Sequence, residues 1–195
     1  MEPNLISQRL KLIPFEPNDL SLFYQTNTTP FVRKFLWDDE LISQDLAKAA
    51  AEKAEALICK TIVEKGSANI ILATGASQFG MLSHLVKTQK VDWSKVQMFH
   101  LDEYIGLPES HPASFRKYLK ERFVDQVKDL AKAYFINPNE NIEQLNNIIT
   151  NHPIDVAMIG IGENGHLAFN DPPADFDTEI PYIKVDLDEA CRQQQ

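Results

Sequence analysis

Short apolar runs alternate with stretches of helical spacing along most of this chain, and that alternation restricts it to an α/β fold with a mostly parallel sheet. Ala68-Asn69-Ile70-Ile71-Leu72-Ala73 is short and continuously apolar, as a parallel strand buried on both faces must be. Thr74-Gly75-Ala76-Ser77 follows, then a helix carrying Phe79, Leu82, Leu85 and Val86. The same unit recurs: a strand over residues 96–101, a helix over 112–124, a short strand over 134–136, a helix over 142–149 and a strand over 155–159. A last extended stretch covers residues 182–187. Upstream, Ser43 is a plausible N-cap for a helix placing Leu46, Ala50, Leu57, Ile58, Thr61 and Ile62 on one face and ending at Gly66. Helices on both faces of such a sheet make a Rossmann-like three-layer domain over residues 41–195. Residues 1–40, interrupted by Pro3, Pro14, Pro17 and Pro30, read as an irregular N-terminal appendage.

A hydrophobic fraction of 44% with 24% charged residues is ordinary for a packed domain, so disorder is excluded. The net charge of −9 opposes nucleic-acid binding, which needs clustered Lys and Arg. Cys59 and Cys191 form no CxxC pair and no disulfide framework, which suits a reduced cytoplasm. No apolar run reaches the roughly 18 residues that cross a bilayer, so no membrane partner is expected.

In open α/β sheets, ligands collect at the carboxyl ends of the strands, so the segments after residues 73, 101 and 159 should line one site. Thr74, Gly75, Ala76 and Ser77 combine hydroxyls and backbone donors at a helix start, a place for a phosphate, although an ordinary cap has the same composition. Without GKS or GKT, this is not a nucleotide P-loop. Asp102 and Glu103 are adjacent carboxylates at a strand end, where one faces the crevice and the other turns away; Asp102 is the candidate general base. Gly160-Ile161-Gly162-Glu163-Asn164-Gly165-His166 matches GxGxxG after a strand, and Asp186 lies near the spacing of a ribose-binding acid. Pro172-Pro173 would stop the crossover helix that a dinucleotide site requires, so that reading is set aside. Gly162 and Gly165 instead bring backbone close to a substrate, with His166 as a proton shuttle that Asn164 and Asp171 could orient.

Leu101-Asp102-Glu103-Tyr104-Ile105-Gly106-Leu107-Pro108, His111-Pro112-Ala113-Ser114-Phe115 and the stretch 160–172 resemble, in this order, the glucosamine-6-phosphate deaminase family of aldose–ketose isomerases. The resemblance runs from about residue 43 to the end. The 6-phosphogluconolactonases share the fold and a similar glycine–histidine loop, but LDEYIGL and HPASF look more like the deaminases. The resemblance implies a sugar-phosphate substrate, no cofactor and no metal. It makes residues 74–77 the phosphate turn, Asp102 the base for enolisation and His166 the acid–base for ring opening.

This chain departs from the family's pattern twice near the histidine, with Asn164 where an aspartate is usual and Asp171 where many members have a glutamate. An asparagine holds one imidazole tautomer but does not stabilise the imidazolium as a carboxylate does. The family also continues past the position of Gln195, so the sheet is expected to be incomplete at its C-terminal side, with an exposed edge that calls for a missing segment or a second subunit in a homo-oligomer. The expected activity is conversion of glucosamine 6-phosphate to fructose 6-phosphate and ammonia. A lactonase, another phosphosugar isomerase and a non-catalytic sugar-phosphate-binding module are the alternatives.

Overall fold

The computed structural model of the chain describes residues 44–137, 142–161, 166–170 and 174–187; the expected appendage of residues 1–40 and the cap residue Ser43 lie outside them. Among these residues, β1 (Ala68–Leu72), β2 (Val96–His100), β3 (Lys132–Tyr134) and β4 (Val156–Met158) form a parallel sheet in the order β3-β2-β1-β4. Helix α1 (Gln44–Lys65) precedes β1, and α2 (Phe79–Leu85) crosses from β1 to β2. From β2 to β3 the crossover is α3 (Phe115–Leu119) with a π-helical turn (Lys120–Val124), and α4 (Ile142–Asn151) leads from β3 to β4. The chain thus steps outward from β1 to β3 and returns to the far side of β1, and in open α/β sheets such a reversal marks the place for a ligand, between the carboxyl ends of β1 and β4.

Alternation along the strands divides the sheet. Ile70, Leu72, Val96, Met98, Val156 and Met158 join Ile58, Leu82, Leu85, Leu119 and Phe123 in one apolar core. Phe99, fully buried and of opposite parity to Met98, stacks on Tyr134 at 4.7 Å and lies 6.3 Å from His152, just beyond α4. Helices therefore serve both faces, as the alternation predicts.

Several expectations shift. The third strand ends at Tyr134 instead of starting there. The extended stretch from residue 182 joins no strand among the described residues. The helix expected from Pro112 begins at Phe115, because Ser114 is its cap: its backbone is extended and its Oγ accepts from Lys117 N at 3.4 Å.

The buried face of α1 is Ala47, Ala51, Ala54 and Ile58, while Leu46, Ala50 and Leu57 face outward. The cause is close approach of α2: a Cβ built on Gly80 would lie 2.8 Å from Ala47 Cβ, so only small residues fit the crossing. Gly80→Ala should accordingly lower stability. The helix propensity gained is about 1 kcal/mol, and overpacking of this kind costs about 1–3 kcal/mol, with the overlap winning because Ala47 Cβ cannot swing aside. Urea unfolding measures it; a variant as stable as the parent would show that the two helices separate freely.

Candidate active site

The strand ends are tied together by backbone hydrogen bonds: Ala73 N donates to Met158 O at 2.8 Å and Leu101 N to Leu72 O at 3.1 Å. The chain segments that leave β1, β2 and β4 therefore start side by side on one edge of the sheet. After β1, Gly75 takes a φ of +109°, which a side chain would strain, and its carbonyl accepts from Gln78 N at 3.1 Å and from the Tyr118 hydroxyl at 2.9 Å. Thr74 is half-buried and Ser77 exposed. The loop after β4 adjoins this turn, since a Cβ on Gly160 would sit 4.0 Å from Ser77 Oγ.

The two adjacent carboxylates have different fates. The Glu103 side chain, with no exposed surface, accepts from Tyr104 N (2.8 Å), Phe115 N (3.2 Å), Arg116 N (2.8 Å), Ser114 Oγ (3.1 Å) and Arg116 Nε (3.2 Å). Its charge thus sits on the free donors that start α3. Arg116, itself buried, extends the lock to Leu107 O at 2.8 Å and Asn137 Oδ1 at 3.2 Å.

Asp102 instead opens on a cavity of about 530 Å³, shared with Tyr104, Phe169, Tyr182, Lys184 and Asp186 and walled by Ile105, Ile136 and Ile142. Burial, seconded by the neighbouring Glu103 charge, pushes its carboxyl up to about 7. Such a group is half ionised near neutral pH, as a proton-transfer base needs to be. Burial also drives His100, at the end of β2, down to about 4, and neither of its ring nitrogens has a hydrogen-bond partner among the described residues.

His166 is half-buried at the start of the segment returning from the loop after β4. Three residues on, Phe169 packs 4.8 Å from Tyr104 and 5.6 Å from Phe115, while Tyr104 and Phe115 are 5.0 Å apart. This aromatic trio joins the His166 segment to the Asp102 segment, and Ala168, Phe169 and Asn170 line the Asp102 cavity. Ala168 takes a φ of +52°, so the turn beside the histidine is held in a strained form. Neither His166 nor residues 74–77 line that cavity. The candidates Gly162, Asn164, Gly165 and Asp171 lie outside the described residues.

Tyr182, given no role on sequence grounds, is buried against this site, and Asn146 of α4 holds its backbone on both sides. A single buried aromatic in a stretch otherwise exposed or half-buried leaves no periodic signal. Among the described residues, no group of three or more His, Cys, Asp or Glu side chains could hold a metal ion, and no helix is long and apolar enough to cross a membrane.

Residues 42–175 match the model of the family described as glucosamine-6-phosphate isomerases/6-phosphogluconolactonase. The glucosamine-6-phosphate deaminase of Staphylococcus epidermidis is 34% identical over 157 residues, 75% of this chain and 65% of that protein. The Streptococcus pneumoniae serotype 4 enzyme of the same name is 32% identical over 66% of this chain and 57% of its own length. The chain thus spans less than two thirds of these curated relatives. Among solved structures, a monomeric glucosamine-6-phosphate deaminase superposes with a TM-score of 0.63 at 27% identity, covering 76% of this chain and 65% of that one. A 6-phosphogluconolactonase from Shewanella baltica shares the fold, with a TM-score of 0.58 at 18% identity over 64% of this chain and 56% of that one.

Proposed function

Since the chain belongs to the glucosamine-6-phosphate isomerase/6-phosphogluconolactonase family, we propose that it carries the site of a cytoplasmic glucosamine-6-phosphate deaminase, which converts glucosamine 6-phosphate and water to fructose 6-phosphate and ammonia. The observation that carries this reading is the half-buried Asp102 carboxyl, raised to about 7 and opening on a cavity whose lining includes Ala168, Phe169 and Asn170, just after His166. In the first step His166 moves a proton to the ring oxygen and opens the sugar. Asp102 then takes the proton from C2 and returns it to C1, while a second proton passes from the amine to O1, so that C1 becomes a hydroxymethyl carbon and the C2 amine an imine. Water adds to the imine carbon, and ammonia leaves as the ketone forms. The Thr74 to Ser77 turn holds the phosphate, remote from the reacting carbons, and lends binding energy to positioning.

Asp102 favours this reading over lactone hydrolysis, because moving a proton between neighbouring carbons requires a base that both takes and returns it near neutral pH. The test is ammonia release from glucosamine 6-phosphate, followed with the parent chain and with His166→Gln. The parent should release ammonia and fructose 6-phosphate in equal amounts, and the variant should be slower by about 10²–10³-fold, the usual share of a positioned acid–base. Acid without ammonia, formed from a 6-phosphogluconolactone, would make the chain a lactonase. Sugar-phosphate binding with no turnover of either compound would make it a binding module.

A further inference from the structure

Tyr182 stands out in the segment 174–187. Phe176 is 90% exposed and Ile180 56%, yet Tyr182 between them and Val185 is buried. Its N–H donates to Asn146 Oδ1 at 2.7 Å, and its carbonyl accepts from Asn146 Nδ2 at 3.0 Å. A single carboxamide on α4 thereby satisfies both backbone groups, as a neighbouring strand would. At its other end the hydroxyl donates to the carbonyl of His100 at 2.7 Å, across 82 residues of sequence. His100 is the last residue of β2, two before Asp102, and Tyr182 and Asp102 line the same cavity.

We propose that Tyr182 is a positioning residue for Asp102: its hydroxyl fixes the end of β2 that aims the carboxylate, and its ring shields one side of it from water. This rests on Asp102 being the base in the reading above. The other groups around Asp102 do not take over this role. Among the described residues, Glu103 is engaged with Arg116 and the start of α3, His100 is enclosed on β2, Lys184 and Asp186 are exposed, and α4 and the segment after β3 contribute Ile142 and Ile136 to the lining. The two side chains lie close enough that the Asp102 charge is the second cause, after burial, that raises the Tyr182 phenol above its ordinary range.

Two variants of the full chain separate the ring from the hydrogen bond. In Tyr182→Leu the ring is gone, so the titration of the Asp102 carboxyl carbon followed by NMR should have its midpoint at least one pH unit lower than in the parent. In Tyr182→Phe the ring remains and only the hydroxyl is lost, so kcat for ammonia release should fall about tenfold while KM for glucosamine 6-phosphate stays within twofold. A residue that merely anchored the loop would change melting temperature and leave both readouts alone. An unmoved Asp102 midpoint overturns the proposal, as does a Tyr182→Phe variant with parental kcat. If the parent itself releases no ammonia, the deaminase reading falls and the Asp102 titration alone decides on Tyr182. If the leucine variant does not fold, kcat of the phenylalanine variant decides.

Discussion

Asp102→Asn is expected to slow ammonia release by about a thousandfold, within the range for loss of a proton-transfer group, and at the same time to raise the melting temperature above pH 7. Both effects have one cause. Burial lifts the Asp102 carboxyl from its ordinary 3.8 to about 7 in the folded chain, whereas the unfolded chain keeps the ordinary value. Between those two pH values the unfolded state has released a proton that the folded state still holds. Stability therefore declines as pH rises through this window and levels off above it, the opposite of a salt-bridged aspartate. Asparagine has no proton to lose and escapes that decline. On the order of 2–4 kcal/mol separates the two proteins at pH 8, the upper end applying only if water is fully excluded from the carboxyl. For a chain of this size that is several degrees in melting temperature. Thermal unfolding of both proteins from pH 4 to pH 9 is the measurement: the curves should coincide at the acid end, diverge between pH 4 and 7, and run parallel beyond. Curves parallel throughout would mean that Asp102 is hydrated and unsuited to the role. The trade is characteristic of a site whose working group is held at a cost to the fold.

How far such features are legible in the sequence depends on the range over which they are decided. Strand and helix alternation is local, so the parallel sheet and the gathering of the β1, β2 and β4 ends on one edge follow from apolar runs of about five residues. Strand order is not local, and nothing in the runs themselves says that β4 returns to the far side of β1. The α1 face illustrates the same limit. Leu46 and Leu57 are the larger apolar residues, but close approach at Gly80 selects the Ala47, Ala51 and Ala54 face instead. That adjacent carboxylates at a strand end point different ways follows from strand geometry alone. What fills the Glu103 side does not, because its donors lie eleven to thirteen residues later, at the start of α3. Tyr182 is farther still, acting on a carbonyl 82 residues back through a single hydroxyl. The aromatic trio of Tyr104, Phe115 and Phe169 lies within the stretches that carry the family resemblance, yet only the folded chain shows that it joins them.

Glu103→Ala should be among the most destabilising single changes in the site, at about 3–5 kcal/mol, because it removes one partner of a buried ion pair and leaves the other charge without water or counter-ion. That is a large share of the roughly 5–15 kcal/mol that holds a domain together, so the variant is expected to be partly unfolded at 37 °C. The reverse substitution, Arg116→Met, should cost less. Glu103 would still accept from three backbone N–H groups and the Ser114 hydroxyl, so its charge would remain solvated by the start of α3. Arg116 has no such reserve, since in the absence of Glu103 its Nε has no acceptor among the described residues and only Leu107 O and Asn137 Oδ1 remain for the rest of the guanidinium. The order Glu103→Ala worse than Arg116→Met is thus the discriminating result in urea unfolding, and adding Arg116→Met to Glu103→Ala should recover part of the loss by removing the stranded cation. Equal costs for the two single variants would mean that the pair is held by its mutual attraction alone. The start of α3 would then contribute little, and the segment carrying Asp102 would be fixed from the Tyr182 side instead.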